Sequence, residues 1–416
     1  MNKFRYCTLW RCCATYSSLA NVSEHLRNRL VAMGVRTPTE IQEKALPVLL
    51  QGRSAVVNSE TGTGKTLCYL LPIINRLLSD DETKAPYSFV LVPTAELAMQ
   101  VHSTFDGLAD SGWQCSEVFG DRKMTIKPYT RCVVGVPSSI ATYGLQRLLK
   151  TTSVLVVDEA DLLLTGGEKA ATWKILRNFR ALYEQNAGQR QMIFSGATMP
   201  SRGKQSALAS LARWIPKSTE VIQTVGVHLP PQGVEFSYVK VVDDSHKMSL
   251  LMSLLSCHNY MSSILIFVNT TSTCEQVYNT ICSSHDLPID HNTIGRLDKG
   301  VDMDQRYLNM QLFLEGHYNV LVCTDLFARG IDIPNVDLVV LFDFPTNAAD
   351  FLHRAGRTAR AGKSGKVVSY VLPRDKHLCT LIEHTIGQRD SFDEELFSRK
   401  KMLKRRIGRI LDTMDM

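Results

Sequence analysis

The sequence has no run of about 18 apolar residues, so no segment reads as a membrane-spanning helix and membrane insertion is not expected. Its 11 cysteines include no CxxC pair and no paired spacing. That argues against a zinc site or a disulfide framework and leaves buried free thiols in a reducing compartment. Low-complexity tracts are missing as well. With 44% hydrophobic and 21% charged residues, the composition is that of a globular protein and excludes disorder as the main theme. At 416 residues the chain is too long for one ordinary core and implies two or three domains. The 47 basic residues exceed the 41 acidic ones by +6, a mild lean toward a polyanionic partner.

That excess is unevenly placed. Residues 1–22 carry Lys3, Arg5 and Arg11 but no acid, the first carboxylate being Glu24. A basic, Ser-bearing, acid-free leader fits a mitochondrial transit peptide, or a plain N-terminal extension. Arg11 interrupts the only apolar stretch that could serve a secretory signal. At the other end Arg399–Arg409 holds seven basic residues in eleven, and Leu403, Ile407, Ile410 and Leu411 recur at helical spacing. This basic amphipathic helix could cover the second domain or contact an RNA backbone. Subtracting these ten basic residues leaves 37 against 41 acids, so the body between them is mildly acidic at −4.

Between the ends, short apolar runs alternate with helical patterns. Ala55–Val57, Phe89–Val92, Val154–Val157 and Met192–Phe194 read as strands, and the alternation predicts an α/β domain with a parallel sheet over 23–223. Residues 224–235, with two glycines and Pro230-Pro231, read as a linker. The alternation restarts in Phe236–Val242, Ile264–Val268, Val320–Cys323, Leu338–Leu341 and Val367–Val371, giving a second α/β domain over 236–390 and a basic tail over 391–416. Ligands of such sheets lie beyond the C-terminal strand ends, so two tandem domains could enclose a cleft.

Chemistry enters at Ser59-Glu60-Thr61-Gly62-Thr63-Gly64-Lys65-Thr66, which follows a strand and precedes an apolar helical stretch. Glycines let backbone N–H groups curl around a phosphate, and the helix N-terminus adds partial positive charge. Lys65 would reach the β- and γ-phosphates, and the Thr66 hydroxyl would sit on Mg²⁺. Ser59 stands where the general phosphate-loop pattern has its first glycine. The buried run Val154–Val157 ends in Asp158-Glu159-Ala160-Asp161, 93 residues beyond Lys65. There Asp158 can hold Mg²⁺, partly through water, and Glu159 can polarise an attacking water. His353-Arg354-Ala355-Gly356-Arg357-Thr358-Ala359-Arg360 supplies arginines at spacings of three. Arg357 and Arg360 would face the γ-phosphate as fingers if the domains close.

Together these segments resemble the DEAD-box RNA helicases, over about Ser17 to Ile382 and in the family's order. The resemblance implies two RecA-like domains, ATP hydrolysis in the cleft between them, Mg²⁺, and RNA as partner. Gly34–Gln42 resembles the Q motif, with Thr37 and Gln42 at the nucleotide; Gln42 can bond adenine N6 and N7 bidentately, which would favour ATP over GTP. The aromatic that precedes this motif in the family falls at Ser17, beside Tyr16. Pro93–Ala98 resembles motif Ia, Ile264–Thr270 motif IV, and Thr324–Asp332 motif V. In these terms Pro93, Thr94, Gly120, Asn269, Arg306 and Thr324 are expected at RNA, and Gly330 and Asp332 at the nucleotide. Asp161, Gly196, Ala197, Thr198, His353 and Arg354 are expected to couple the domains.

Departures from the family concentrate on the RNA side. Ala95 stands for the usual Arg, Gly120-Asp121 for a double glycine, and Val136-Pro137-Ser138-Ser139 for Thr-Pro-Gly-Arg. Leu297-Asp298-Lys299 replaces Leu-His-Gly, and Met303 replaces the Gln of QxxR while Arg306 remains. Motif III reads Gly196-Ala197-Thr198 after Ser195, through either an inserted glycine or a replaced serine. Two functions follow as expectations. The first is an ATP hydrolase that remodels RNA, by its leader mitochondrial ribosomal RNA in the matrix during ribosome assembly, alongside assembly proteins. The second is an ATP-gated RNA clamp or scaffold with little unwinding. Mitochondrial mRNA processing or decay would use the same machinery, a cytoplasmic or nuclear address is the alternative, and a monomer is expected.

Overall fold

A computed structural model describes residues 16, 22–79, 87–109, 113–120, 130–142, 146–164, 170–185, 190–199, 211, 214–224, 229–257, 262–284, 287–325, 336–359, 363–388 and 392. Residues 1–15 and 17–21 of the leader, 391 and 393–416 of the tail, Gly330, Asp332 and Arg360 lie outside them.

Two parallel sheets organise the chain. The first contains β1 (Ala55–Asn58), β2 (Tyr87–Leu91), β3 (Gln114–Val118), β4 (Thr130–Gly135), β5 (Thr152–Val157), β6 (Gln191–Gly196) and β7 (Glu220–Gln223), in the order β3-β4-β2-β5-β6-β1-β7. The second contains β8 (Val234–Lys240), β9 (Ile264–Val268), β10 (Ile294–Leu297), β11 (Val320–Thr324), β12 (Leu338–Leu341) and β13 (Gly365–Val371), in the order β10-β11-β9-β12-β13-β8.

The near-continuous apolar strands follow from burial on both faces. Val57, Val90, Val156 and Ile193 point into one cluster, with the helices Glu40–Leu49 and Lys65–Ser79, while Val56, Phe89, Leu155 and Phe194 point into the opposite one. The second sheet divides likewise, Phe267, Leu321 and Val339 facing one cluster and Ile266, Val322 and Val340 the other. Helices cover both faces, as right-handed crossovers between parallel strands require.

The expected linker is shorter than read. Its last two residues already belong to β8, where Val234 pairs with Gly365 and Gly365 N–H donates to the Gly233 carbonyl. The prolines end before the ladder begins, so nothing stops Val234 from pairing. β3, β4, β7 and β10 have no counterpart among the apolar runs of the sequence, where Ser116, Glu117, Arg131, Gln223 and Arg296 break the pattern.

Strand order places the functional loops. The ends of β5, β6 and β1 lie side by side, which brings Asp158-Glu159, Gly196–Thr198 and the Ser59–Thr66 loop together despite their separation in sequence. The ends of β3, β4 and β2, carrying Gly120, Val136-Pro137 and Pro93-Thr94, form the other half of the same edge.

Candidate functional site

The Ser59–Thr66 loop turns on two glycines, Gly62 (φ 80°) and Gly64 (φ 82°), in the left-handed region that glycine adopts without cost. A side chain on Gly64 would also collide with the Gln42 amide. The Ser59 hydroxyl pairs with that of Thr63 at 2.6 Å, which in turn donates to the Glu60 carbonyl at 2.8 Å. Lys65 opens the helix Lys65–Ser79 and folds back, its Nζ donating to the Ser59 and Glu60 carbonyls at 2.6 and 2.7 Å. Burial pushes its pKa down, while Glu159, Asp158 and Asp161 pull it up. The loop is thus a cradle of backbone with one buried ammonium at its centre, which suits a polyphosphate.

Two residues from the preceding segment brace it. Thr39 Oγ1 donates to the Thr63 carbonyl at 2.7 Å, and Gln42 Nε2 donates to the Gly64 carbonyl at 2.9 Å. Thr37, expected here, is exposed, and Thr39, which caps the helix Glu40–Leu49, makes the contact instead.

Asp158 ends β5 as a buried carboxylate. Tyr69 Oη donates to Asp158 Oδ2 at 2.9 Å and also bonds Thr66, so one phenol holds both oxygen groups at one spot. Tyr69 was missed; the signal was a lone hydroxyl four residues past Lys65 in an apolar helix. Glu159 is only 3% exposed, sits at φ 46° and ψ 48°, and its Oε2 has no hydrogen-bond partner. A left-handed non-glycine residue costs about 1–3 kcal/mol, and such strain persists where the surroundings over-determine it. Burial, with Asp161 and Asp158 nearby, raises the Glu159 pKa to about 7, against the pull of Lys65 and Arg357. A carboxylate of that basicity, buried and unpaired at one oxygen, is suited to accept a proton near neutral pH.

The second domain reaches this cleft through its helix Ala348–Ala355. Asp161 Oδ2 accepts from the Thr198 N–H at 3.1 Å and from the Thr198 hydroxyl. His353 Nε2 lies 3.3 Å from Thr198 Oγ1 and 3.5 Å from Asp161 Oδ2. All three side chains are buried, so this chain of polar contacts joins the two domains out of water. A Cβ on Gly356 would come within 3.4 Å of Thr61 Oγ1, and Arg357 is close enough to lower the pKa of Glu159. β6 runs in unbroken register with β1 through Gly196↔Asn58. Gly196 therefore occupies a regular strand position, as a replaced serine would.

Residues 39–206 match the DEAD/DEAH box helicase family, and residues 246–362 match the helicase conserved C-terminal domain. The chain is 30% identical over 375 residues to the probable ATP-dependent RNA helicase DDX47 of Mus musculus, covering 86% of this chain and 76% of that protein. The chain is a DEAD-box ATP-dependent RNA helicase. It is 29% identical to the ATP-dependent rRNA helicase RRP3 of Encephalitozoon cuniculi, over 94% of this chain and 92% of that one. Its fold matches that of S. cerevisiae Dbp5 bound to RNA and ADP BeF3, with a TM-score of 0.74, 24% identity, and coverage of 90% of this chain and 93% of that chain. As a DEAD-box helicase it uses ATP and binds RNA. No helix among the described residues is long and apolar enough to cross a membrane.

Three residues carried over from the DEAD-box motifs have protein partners in the structure. Arg306 Nε donates to Glu96 Oε1 at 2.8 Å and its Nη1 to the Val301 carbonyl at 3.0 Å, so the guanidinium expected at RNA bridges the two domains. Glu96, in the first turn of the helix Ala95–Leu108, is fully buried. Asn269 gives both ends of its amide to the protein, accepting from Arg354 at 2.6 Å and donating to the Phe344 carbonyl at 3.0 Å. Arg354, expected between the domains, holds the second domain together: it grips Asp325 at 2.6 and 2.8 Å and the Asp343 carbonyl at 2.6 Å. A bidentate, planar guanidinium at the ends of β9, β11 and β12 fixes those loops relative to one another. Pro93 and Thr94 follow β2, Gly120 (φ 61°) follows β3, and Thr324 closes β11 half-buried. Ala197 lies buried in the cleft beside Thr198.

Proposed function

We propose that this helicase hydrolyses ATP in the cleft and remodels ribosomal RNA in the mitochondrial matrix during ribosome assembly. The observation that carries the chemistry is Glu159: buried, strained, with one oxygen unpartnered, and pushed up to about 7 by burial beside Asp161 and Asp158 against the pull of Lys65 and Arg357. Thr66 and Asp158 fit Mg²⁺, since Tyr69 already gathers their oxygens and hard oxygen donors are what that ion takes. When bound, Mg²⁺ would neutralise charge on the phosphate oxygens. Lys65 leaves its two loop carbonyls for the β- and γ-phosphates, Glu159 takes the proton of the attacking water, and Arg357 faces the transferred group. Arg360 belongs to the same proposal by its place in the motif.

RNA would cross the ends of β3, β4 and β2 and the facing loops of the second domain. Closure along Asp161, Thr198 and His353 then links its binding to hydrolysis. Melting five base steps at about 1.4 kcal/mol each costs roughly 7 kcal/mol, which limits unwinding to short helices. The acid-free leader supports the mitochondrial address, and the RRP3 relative supports ribosomal RNA. Crosslinking in isolated organelles and sequencing of the bound RNA tests this; recovery of no ribosomal RNA refutes the assembly role.

A clamp with little unwinding is the second reading. Met303 of the second domain packs against the first domain's cluster, which contains Ala95, while Arg306 pairs with Glu96 beside it. Both substitutions turn groups expected at RNA into contacts between domains. Strand displacement measured beside ATP turnover on one RNA separates the readings: turnover without displacement means a clamp.

A further inference from the structure

Four strands form sheet edges among the described residues: β3 and β7 in the first sheet, β8 and β10 in the second. β8 is the longest of them, with seven residues against five, four and four. Among the described residues it pairs with β13 alone, so its other side is open. A long open edge that also carries apolar side chains is one that proteins ordinarily cover with a helix or loop. Along β8 the side chains alternate: Glu235 and Ser237 are exposed, while Val234, Phe236 and Tyr238 turn toward the second domain's core cluster yet stay only half-buried. The Tyr238 hydroxyl is shielded from water but has no hydrogen-bond partner among the described residues. Buried hydroxyls nearly always find one. This row of side chains therefore lacks a neighbour on its outer flank.

The described chain leaves the second domain beside that flank. The helix Lys376–Gln388 packs on the same cluster through Leu378, Ile382 and Ile386. Phe392, 2% exposed, then sets its ring 6.4 Å from that of Phe351, which stacks on Phe236 at 5.8 Å. Residues 393–416 thus start from a root buried at the half-covered row. Their apolar positions Leu403, Ile407, Ile410 and Leu411 fall on one face of a helix. From Leu403 to Leu411 a helix rises about 12 Å, against about 13 Å along the strand from Val234 to Tyr238. A helix this short is marginal in water by itself and needs a surface to form on. Glu383, exposed and near Tyr238, would meet the basic flank of such a helix.

We propose that residues 393–416 dock on the open edge of the second sheet. Leu403, Ile407, Ile410 and Leu411 cover Val234, Phe236 and Tyr238, and the seven basic side chains of Arg399–Arg409 turn away from the edge. The tail is then a fixed part of the second domain, not an arm that RNA holds in place.

Hydrogen exchange of the full chain without RNA tests this. Amides of the peptide spanning residues 399–411 should exchange at least about tenfold more slowly than an unstructured chain, the protection that burying one aliphatic side chain supplies. Tyr238→Ser should abolish that protection while β9 and β12 stay protected. Tail amides that exchange freely overturn the proposal, and if RNA then protects them the tail is an RNA arm. Protection that Tyr238→Ser leaves intact also overturns it, since the tail would lie on another face. So does protection that falls on dilution, which makes a second copy of the chain the occupant. If Tyr238→Ser does not fold, truncation after Phe392 decides: faster exchange in β8 supports the docking, and unchanged exchange overturns it.

Discussion

Replacing Arg306 by Met separates two roles that the sequence left merged. A phosphate contact would contribute to the salt dependence of RNA binding. Removing one such contact from a single-stranded RNA complex flattens the slope of log K against log salt by about 0.7. The structure gives Arg306 a different task, since its Nε bonds the buried Glu96 of the other domain at 2.8 Å, with the Arg side chain 14% and the Glu side chain 1% exposed. Breaking a buried ion pair by removing one partner costs about 3–5 kcal/mol, because the remaining charge stays out of water. That penalty falls on the closed arrangement, in which the two domains meet. RNA affinity linked to closure should therefore weaken by about two to three and a half orders of magnitude at every salt concentration, with the slope unchanged. Fluorescence titration of a labelled RNA with a non-hydrolysable ATP analogue, repeated across salt concentrations, reads both quantities. Glu96→Gln combined with Arg306→Met should recover much of the loss. A flattened slope with little change in affinity would refute the bracket and restore Arg306 to the RNA.

Three other outcomes follow from the same geometry. Thr198→Ala removes a hydroxyl between Asp161 and His353; a hydrogen bond to a charged group is worth about 1.5–3 kcal/mol, so RNA-stimulated kcat should fall tenfold to a hundredfold while ATP binding persists. The base form of Glu159 is the deprotonated one, so kcat/KM should drop about tenfold per unit below pH 7 and level off above it. Because folding raises this pKa, the same group stabilises the protein at low pH and its contribution is lost as pH climbs to about 7; neutral Glu159→Gln should therefore melt higher than wild type above that pH. Lys247, almost fully buried, bonds Asp343 and Asp244 at 2.6 Å each and lies 4.7 Å from the Phe342 ring centroid. Lys247→Met strands the Asp343 carboxylate and should cost about 3–5 kcal/mol in thermal or denaturant unfolding.

Much of this site is legible in the chain because its chemistry is local. The Ser59–Thr66 loop and Asp158-Glu159 each follow an apolar strand, and strand, loop and helix there are neighbours in sequence. The parallel α/β fold is equally plain from its buried strands. What sequence could not show is which partner a long side chain chooses. Arg306, Asn269 and Arg354 all carry groups able to hold RNA or bridge domains, and only the placement of Glu96, Phe344 and Asp325 decides among them. Gln42 is the same case, since the amide's hydrogen-bonding capacity is evident but its use by Tyr16 and Thr39 is not. Strands such as β3 and β10 are not legible in the sequence because their stability comes from tertiary pairing with β4 and β11, not from an apolar run of their own.

In the proposed hydrolysis Glu159 is the group that takes the proton from water. Single-turnover hydrolysis of ATP bound with RNA, by wild type and by Glu159→Gln, measures that step apart from binding. Gln keeps the size of the side chain and removes the base, so ATP and RNA should bind as before while the chemical step slows by about 10²–10⁴. Hydrolysis by Glu159→Gln within about threefold of wild type would contradict the assignment, since a general base should contribute far more than that.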